Sequence, residues 1–418
     1  MIGAKDLLKL AARNVRRNRV RTILTVAASA AGIMVFLMSS SILGGIDETS
    51  IRNLVNSDTA HIKIYNRSYY PDRKDMYLEN LINDYNGLIV KIKSIDSGIA
   101  ITPRLKFTGA VSMPEEDAPC TVIGLDPETD GLVFNVLKSI ITPGKGEDFY
   151  ENAHACLMGV KFADYIGVKP GDEILLSGRT LHGTYNADSY TIAGLVSCDN
   201  PAIDAFSVIL PLPAALKFAD TGGGVSEIDL AAGSRDSPLI EKIIKRLGEW
   251  DFLPADLKGY SWKDELSDMI TVFGIRRAAQ KLIIGLLSII AVAGIANTML
   301  MAVFERTKEI GTMAAMGMKK REIALLFLFE GTIIGIIGSL AAIIITAIPL
   351  TLLSRVGIVV KGSELLANVP ISSRIYGYIE MSHYLTALII AFITSVIASV
   401  YPALKAAGLN ISMVLRSR

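Results

Sequence analysis

Four long apolar stretches constrain the fold of this chain more than any other feature. They cover residues 22–46, 282–304, 323–354 and 384–404; the third contains one charged residue, Glu330, and the others contain none. About 20 apolar residues in a helix cross the hydrocarbon core of a bilayer. The sequence therefore predicts an α-helical membrane protein with four transmembrane helices and a large segment, 47–281, between the first and second.

The first apolar stretch could be a cleaved signal peptide or a permanent anchor. Its apolar core is longer than the 7–15 residues usual in a signal peptide, and no A-x-A cleavage site follows it. These features favour an uncleaved anchor that forms the first span.

The distribution of lysine and arginine predicts the orientation. Residues 1–21 hold seven of these cations and segment 305–322 holds five, whereas the 29 residues of 355–383 hold three. Loops rich in lysine and arginine stay in the cytoplasm. We therefore expect a cytoplasmic amphipathic N-terminal helix (1–21), a cytoplasmic 305–322 loop and a cytoplasmic tail (405–418), with segments 47–281 and 355–383 outside.

Segment 47–281 has the patterning of a soluble domain, in contrast to the spans around it. Short alternating runs predict strands and longer amphipathic runs predict helices, such as Leu78–Lys93. This pattern indicates an extracytoplasmic α+β domain, in which a second lobe could lie near 140–235.

Both ends of the segment continue as helices with one apolar face, carried by Leu54 and Val55 at one end and by Leu266 and Met269 at the other. These helices are either stalks that couple the spans to the domain or solvated tethers.

Known catalytic motifs are absent from the sequence. It has no G-x-x-x-x-G-K-[ST], H-E-x-x-H or G-x-S-x-G motif, and its four histidines are scattered. The three cysteines, Cys120, Cys156 and Cys198, have no spacing typical of a disulfide framework or a metal site, which favours buried free thiols. We therefore expect a non-catalytic subunit with no catalytic residue, no cofactor and no metal.

The 305–322 loop carries the strongest functional signal. Ile310, Met313, Ala314 and Gly317 recur at helical spacing, and this narrow apolar face could fit a groove in a partner, with Gly317 ending the helix. The alternative is a basic hairpin that lies on the membrane surface.

A resemblance favours the partner-binding interpretation. The run ERTKEIGTMAAMGMKKREI, followed by Glu330, resembles the E-R-x-x-E-I-G-x-x-x-A-x-G-x-x-x-x-x-I pattern of the FtsX/MacB/lipoprotein-releasing permeases of ABC transporters. The Arg21-Thr22-x-Leu24-Thr25 run and the Tyr401-Pro402-Ala403-x-Lys405-Ala406-Ala407 run, with Val414-Leu415-Arg416 after it, resemble the two ends of that family, although Ile411 stands where the family usually has proline. The four-span layout also matches.

The resemblance implies a permease subunit that works by mechanotransmission, with ATP hydrolysis in a separate ATPase dimer. In that family the loop is the coupling helix, so its charges would pair with the ATPase and its glycines would allow close approach. The implied ATPase-coupling residues are Glu305, Arg306, Glu309, Gly311, Gly317 and Glu330. Glu330 lies seven residues into the third stretch, so it is either a partner of the loop or a side chain that reaches the interface.

Further expectations concern partners and substrate. The family needs two permease copies, so we expect a homodimer or a sister subunit in the inner (plasma) membrane, with both termini cytoplasmic and no nucleic acid bound. The runs Ile192–Val196 and Leu210–Leu212, with Asp204, resemble lipoprotein-releasing (LolC/LolE-type) and MacB-like permeases. This favours lipoprotein release, or export of another amphiphile, with a lipoprotein or periplasmic adaptor as partner. The alternative is an FtsX-like signalling scaffold that activates a cell-wall hydrolase.

Overall fold

The computed structural model describes residues 3–17, 19–114, 116–141, 148–249, 252–359 and 374–409. The chain forms two compact units. The helical unit comprises residues 1–47, 273–358 and 375–418, and the inserted domain comprises residues 48–272 with 359–374. The predicted motif at 414–416, Ile411 and residues 360–373 of the predicted 355–383 loop lie outside the described residues.

The described helices are, in chain order, α1 (Ala4–Arg17), α2 (Arg19–Leu54), α3 (Tyr85–Lys93), α4 (Asp130–Val133), α5 (Asp148–Glu151), α6 (Val160–Ile166), α7 (Pro201–Phe206), α8 (Leu212–Ala219), α9 (Pro238–Leu247), α10 (Trp262–Glu265), α11 (Ser267–Glu305), α12 (Thr307–Ala315), α13 (Lys320–Val356) and α14 (Met381–Ala407). The described strands are β1 (Ile62–Asn66), β2 (Ala100–Val111), β3 (Ala118–Leu125), β4 (Ala155–Gly159), β5 (Glu173–Arg179), β6 (Tyr185–Val196), β7 (Ser207–Pro211), β8 (Glu227–Ala231), β9 (Leu257–Ser261), β10 (Ile358–Val359) and β11 (Arg374–Ile375).

Four described helices, α2, α11, α13 and α14, are long and apolar enough to cross a membrane. They contain the four predicted spans, so the predicted fold class is confirmed. The 39 residues of α11 rise roughly 58 Å at about 1.5 Å per residue, well beyond the roughly 30 Å of a hydrocarbon core. Helices α2 and α11 are therefore longer than a span requires.

Small residues hold α13 against α14 in the helical unit. A Cβ atom added to Gly331 would lie 2.7 Å from the Cβ of Ser399, and one added to Gly335 would collide with Ser395. Close approach through small residues is how membrane helices gain packing energy, since lipid removes the hydrophobic drive between them. Gly331 and Gly335 therefore allow α14 to pack closely against α13.

The inserted domain is built on one nine-stranded sheet. Strands β2, β3, β7, β4, β6 and β5 pair successively, and β5 pairs again with β2, which closes a ring of six strands. The other half of β2 pairs with β8, and β1 and β9 follow. Strand β2 belongs to both the ring and the remaining strands, so the strands of the second lobe that could lie near 140–235 are continuous with the rest of the sheet.

The helix expected over Leu78–Lys93 is also shorter than the prediction. It begins at Tyr85, where the carboxylate of Asp84 accepts a hydrogen bond from the N–H of Gly87 at 3.1 Å, as an N-cap does. Before it, Asn80 has a positive φ of 59° and Ile82 pairs with Val225, so this part of the chain is extended.

The three cysteines are free thiols, of which Cys120 and Cys156 are buried and Cys198 is half-buried. Burial raises the pKa of the Cys120 and Cys156 thiols to about 12, which keeps both protonated at neutral pH.

The two ends of the inserted domain pack against each other. We call residues 48–59 the first stalk and residues 262–272 the second stalk. Val55 of the first stalk and Trp262 and Leu266 of the second form one buried apolar cluster. Solvated tethers would not bury these side chains, so the packing favours coupling stalks over tethers.

Candidate functional site

The 305–322 loop folds as a short helix between two long ones. Arg306 interrupts the helical backbone with φ −102° and ψ 18°, and α12 follows directly. Gly317 has a φ of 95°, a left-handed conformation that a residue with a Cβ rarely adopts. The expected helix end at Gly317 therefore has a conformational reason, and α13 begins three residues later.

Arg306 and Glu330 form a buried ion pair at the start of α12. The Arg306 Nη1 atom donates to Glu330 Oε1 at 3.0 Å and to Oε2 at 3.1 Å. Only 8% of the Arg306 side chain and 6% of the Glu330 side chain are exposed. Hydrogen bonds between two ionised groups are about twice as strong as those between neutral groups. Glu330 is thus a partner of the loop rather than a carboxylate extended to the interface.

Further hydrogen bonds connect this pair to α1 and α12. Asn14 Nδ2 donates to Glu330 Oε1 at 2.6 Å, and Arg306 Nε donates to Glu309 Oε2 at 2.8 Å. Glu309 also pairs with Arg17. We call these five residues the coupling network. It joins α1, α12 and α13 through side chains that are far apart in the sequence.

Electrostatics favours the charged forms in this network. Burial would lower the pKa of Arg306, but the carboxylates of Glu330 and Glu309 raise it above its ordinary value. Burial would raise the pKa of Glu309, but hydrogen bonds from Arg306 and Arg17 lower it. Both side chains are therefore ionised at neutral pH.

The apolar face of α12 packs inward. Ile310 is 1% exposed and lies in a buried cluster with Val15 and Phe327, and Gly311 is buried beside it. Met313 and Ala314 pack against the same cluster but are only half-buried, so the chain's own helices cover part of the predicted face, and Gly317 stays exposed. The solvent-facing residues of the loop include Glu305, Lys308, Glu309, Thr312, Met316 and Gly317.

Comparison with known proteins identifies the family. The profile of the MacB-like periplasmic core domain matches residues 22–247, more than half of the chain, and the profile of the FtsX-like permease C-terminal domain matches residues 281–411. This chain belongs to the FtsX/MacB-like permeases of ABC transporters. The resemblance drawn from the loop motif is thereby confirmed.

Three relatives illustrate the range of this permease family. An uncharacterised ABC transporter permease of Methanocaldococcus jannaschii is 26% identical over 63% of this chain and 62% of its own length. The macrolide export ATP-binding/permease protein MacB of Campylobacter fetus is 24% identical over 78% of this chain and 50% of its own length. The lipoprotein-releasing system transmembrane protein LolC of Xylella fastidiosa is 21% identical over 73% of this chain and 75% of its own length. The permease thus spans about half the length of the MacB relative that it matches.

Family membership makes the protein a multi-pass membrane protein of the permease type, and members of the family work with ABC ATPases. Among the residues that the structure describes, no group of three or more His, Cys, Asp or Glu side chains could hold a metal ion.

Sequence reasoning missed two members of the coupling network, Asn14 and Arg17. A signal for them was present, because Leu7, Ala11 and Val15 recur every four residues and are the buried stripe of α1. Asn14 lies next to that stripe and Arg17 lies one turn beyond Asn14. The stripe predicts a packed helix, but it does not indicate which helix it packs against.

Proposed function

We propose that this chain is the non-catalytic permease subunit of an ABC transporter and that movement of a separate ATPase dimer enters the membrane helices through α12. The coupling network is the observation that carries this proposal. A buried ion pair that loses one partner leaves an uncompensated charge, so the pair resists separation. A force on α12 is therefore passed to α13 through Glu330 and to α1 through Asn14 and Arg17.

The roles proposed for the six coupling residues follow from their positions. Glu305 and Glu309 face solvent and would meet the ATPase, whereas Arg306 and Glu330 hold α12 in place from within. Buried Gly311 allows the helix to pack inward, and Gly317 ends it. The surface that docks is then the charged face with Lys308 and Thr312, rather than the apolar face.

The charge distribution supports the orientation. Lysine and arginine concentrate before the first span and in the 305–322 loop, which favours a cytoplasmic position for both, with the inserted domain outside. The chain would lie in the inner (plasma) membrane with both termini cytoplasmic. A second permease copy, identical or a sister subunit, would complete the assembly on the ATPase dimer.

For the substrate we propose an amphiphile, with lipoprotein release as the specific case. A small cavity of about 40 Å³ in the helical unit is lined largely by apolar side chains of three helices, including Phe36, Ile284 and Ala391. The lining is apolar, but a cavity of this volume holds about one water-sized molecule and not a lipid chain. The similarity to LolC supports lipoprotein as the cargo. Another cavity, of about 290 Å³ in the inserted domain, is lined by charged side chains such as Lys63 and Glu227 together with apolar ones.

The experiment reverses the charge of one exposed coupling residue. The full-length Glu309→Lys variant is reconstituted in nanodiscs with its co-purified ATPase, and permease-dependent ATP hydrolysis is measured. We expect that hydrolysis to fall at least tenfold, because a lysine would repel the cations that Glu309 contacts and alter the docking surface. Glu116→Lys, an exposed reversal in the inserted domain, is the matched control.

Folding is checked by the melting temperature of each variant. If Glu309→Lys folds and hydrolysis remains as fully coupled as in the parent protein, α12 is not the entry point of the motion. The alternative function, an FtsX-like scaffold, keeps the same coupling but moves no cargo. Release of a radiolabelled lipoprotein from proteoliposomes on addition of ATP separates the two.

A further inference from the structure

The first stalk does not end as an ordinary α-helix. Helix α2 continues as a π turn over Val55–Thr59, and single π turns of this kind occur often at functional sites. Two side chains hold the turn at Ser57. Arg104 Nη1 donates to the Ser57 carbonyl at 3.0 Å, and Asn200 Nδ2 donates to Ser57 Oγ at 2.8 Å.

Two further contacts surround the same turn. The N–H of Asn135 donates to the carbonyl of Asn56 at 2.8 Å, and Lys106 pairs with the carboxylate of Asp58. The four donors come from β2 and from the segments that precede α5 and α7. The end of the stalk is therefore held from three separate parts of the inserted domain.

Ala60 follows the turn in a backbone conformation that disfavours any side chain. Its φ is 50° and its ψ is −162°, a region that is nearly reserved for glycine. Only 1% of Ala60 is exposed, so packing maintains the conformation. The next residue, His61, joins both stalks to the sheet: its N–H donates to Leu230, and its carbonyl accepts from the N–H of Trp262, both at 3.1 Å.

A buried network of ion pairs lies below the turn. Arg104 donates from Nε and Nη2 to the two carboxylate oxygens of Asp130, at 2.6 and 3.0 Å. Both side chains are at most 1% exposed, and the guanidinium lies 3.5 Å from the ring centroid of Phe134. Such a bidentate, stacked arginine has little freedom to reorient.

The second half of the network connects three strands. Glu227 on β8 forms ion pairs with Lys63 on β1 at 2.7 Å and with Lys106 on β2 at 2.9 Å. Asp229 lies 3.3 Å from Lys63 and is fully buried. Burial and the charge of Glu227 raise the pKa of Asp229 to about 8, so Asp229 is mainly protonated at neutral pH.

Charge balance over the whole network agrees with a protonated Asp229. The cations Lys63, Arg104 and Lys106 then match the carboxylates of Asp58, Asp130 and Glu227, so the buried network is neutral.

We propose that residues 55–60 are a rigid joint that fixes the direction of the first stalk relative to the sheet. Arg104 and Lys106 are its positioning residues, and Ala60 is the strained position that prevents free rotation. This inference rests on the proposed function, because a joint that transmits motion must not bend when the stalk moves. It gives the transmission path a specific element: a displaced stalk turns β1, β2 and β8 with it.

The test measures the stiffness of the joint in the full-length chain. Spin labels are placed at Arg52→Cys on the exposed face of the first stalk and at Tyr185→Cys on β6, with Cys198→Ser to remove the half-buried thiol. Pulsed electron resonance in nanodiscs then gives the distribution of distances between the two labels. The parent distribution should be narrow, and Ala60→Gly should widen it about twofold.

Matched controls separate stiffness from folding. Glycine accepts the backbone conformation of residue 60, so Ala60→Gly should fold with a melting temperature at least equal to that of the parent. Asp220→Gly, at another non-glycine residue with a φ of 50°, lies at the end of α8 and should leave the distribution narrow. Lys106→Arg keeps the ion pair, so its distance distribution should also stay narrow. Lys106→Ala removes the ion pair and should widen the distribution.

The proposal is overturned if the distance distribution of Ala60→Gly is as narrow as that of the parent. It is also overturned if Asp220→Gly widens the distribution as much as Ala60→Gly does. These outcomes are independent of ATP hydrolysis. A narrow distance distribution for Ala60→Gly would refute the rigid joint but leave open that the ATPase docks on α12. Fully coupled hydrolysis in Glu309→Lys would refute docking on α12 as the entry point of the motion but leave the rigid joint unaffected.

Discussion

Breaking the Arg306–Glu330 pair should cost a large part of the stability of the helical unit. The two charges approach to 3.0 Å and both side chains are nearly inaccessible to solvent. With an effective dielectric constant of about 20, two unit charges at that distance attract each other by about 5 kcal/mol. Measured losses on removing one partner of a buried pair are about 3–5 kcal/mol, because the other charge stays buried. Glu330→Gln should therefore lower the free energy of unfolding by about 3–5 kcal/mol.

A double-mutant cycle in mixed micelles of dodecyl sulfate and dodecyl maltoside gives this quantity directly. Arg306→Met and Glu330→Gln should each be strongly destabilising, and the double variant should cost less than the sum of the two, because no buried charge remains unpaired between them. Arg17→Met is the matched control. It breaks an ion pair whose side chains are 54% and 44% exposed, which should cost below about 1 kcal/mol.

Two results would refute this reasoning. One is a loss below about 1 kcal/mol for Glu330→Gln. The other is additivity of the two single changes, which would mean that Arg306 and Glu330 do not depend on each other.

Two other predictions concern packing and pH. Gly331→Ala should lower the melting temperature because the new methyl group meets Ser399, whereas Gly294→Ala, where nothing lies within 4 Å, should not; thermal unfolding of both variants in nanodiscs checks this. The raised pKa of Asp229 means that the folded state keeps a proton that the unfolded state releases, so this stabilisation is complete below about pH 4 and is lost as the pH rises towards about 8. Between pH 5 and 8 the parent should therefore lose stability relative to Asp229→Asn. The free energy of unfolding of both proteins is measured by denaturation at each pH, and an equal dependence on pH in the two proteins would contradict this.

Much of the fold could be predicted because its signals are local. The four spans follow from apolar length alone, and Gly317 as the end of α12 follows from the backbone freedom of glycine. The start of α3 was misplaced because Asn80 and Ile82 are drawn into a turn and a bridge with Val225, a partner 143 residues away. The closed ring of strands was not predictable, because β2 pairs with β8 through its first half and with both β3 and β5 through its second half.

The coupling network shows the same division between local and distant information. The motif located α12, but it assigned Arg306 to an outer surface. The burial of Arg306 depends on Glu330, 24 residues away in the sequence, and on Asn14, which lies 316 residues from Glu330. The periodicity of Ile310, Met313 and Ala314 predicted an apolar face and could not distinguish a face that binds a partner from one that the chain covers itself.

The most direct test of the account is cross-linking from the two faces of α12 in intact membranes. Single cysteines at Lys308 and Thr312, on the exposed face, and at Ile310, on the buried face, are treated with a short bifunctional reagent, and the products are identified by mass spectrometry. The account predicts an adduct with an ABC ATPase from Lys308→Cys and Thr312→Cys, changed in yield by ATP, and none from Ile310→Cys. An ATPase adduct from Ile310→Cys alone, or ATPase adducts from none of the three positions, would contradict the claim that motion enters this permease through the exposed face of α12.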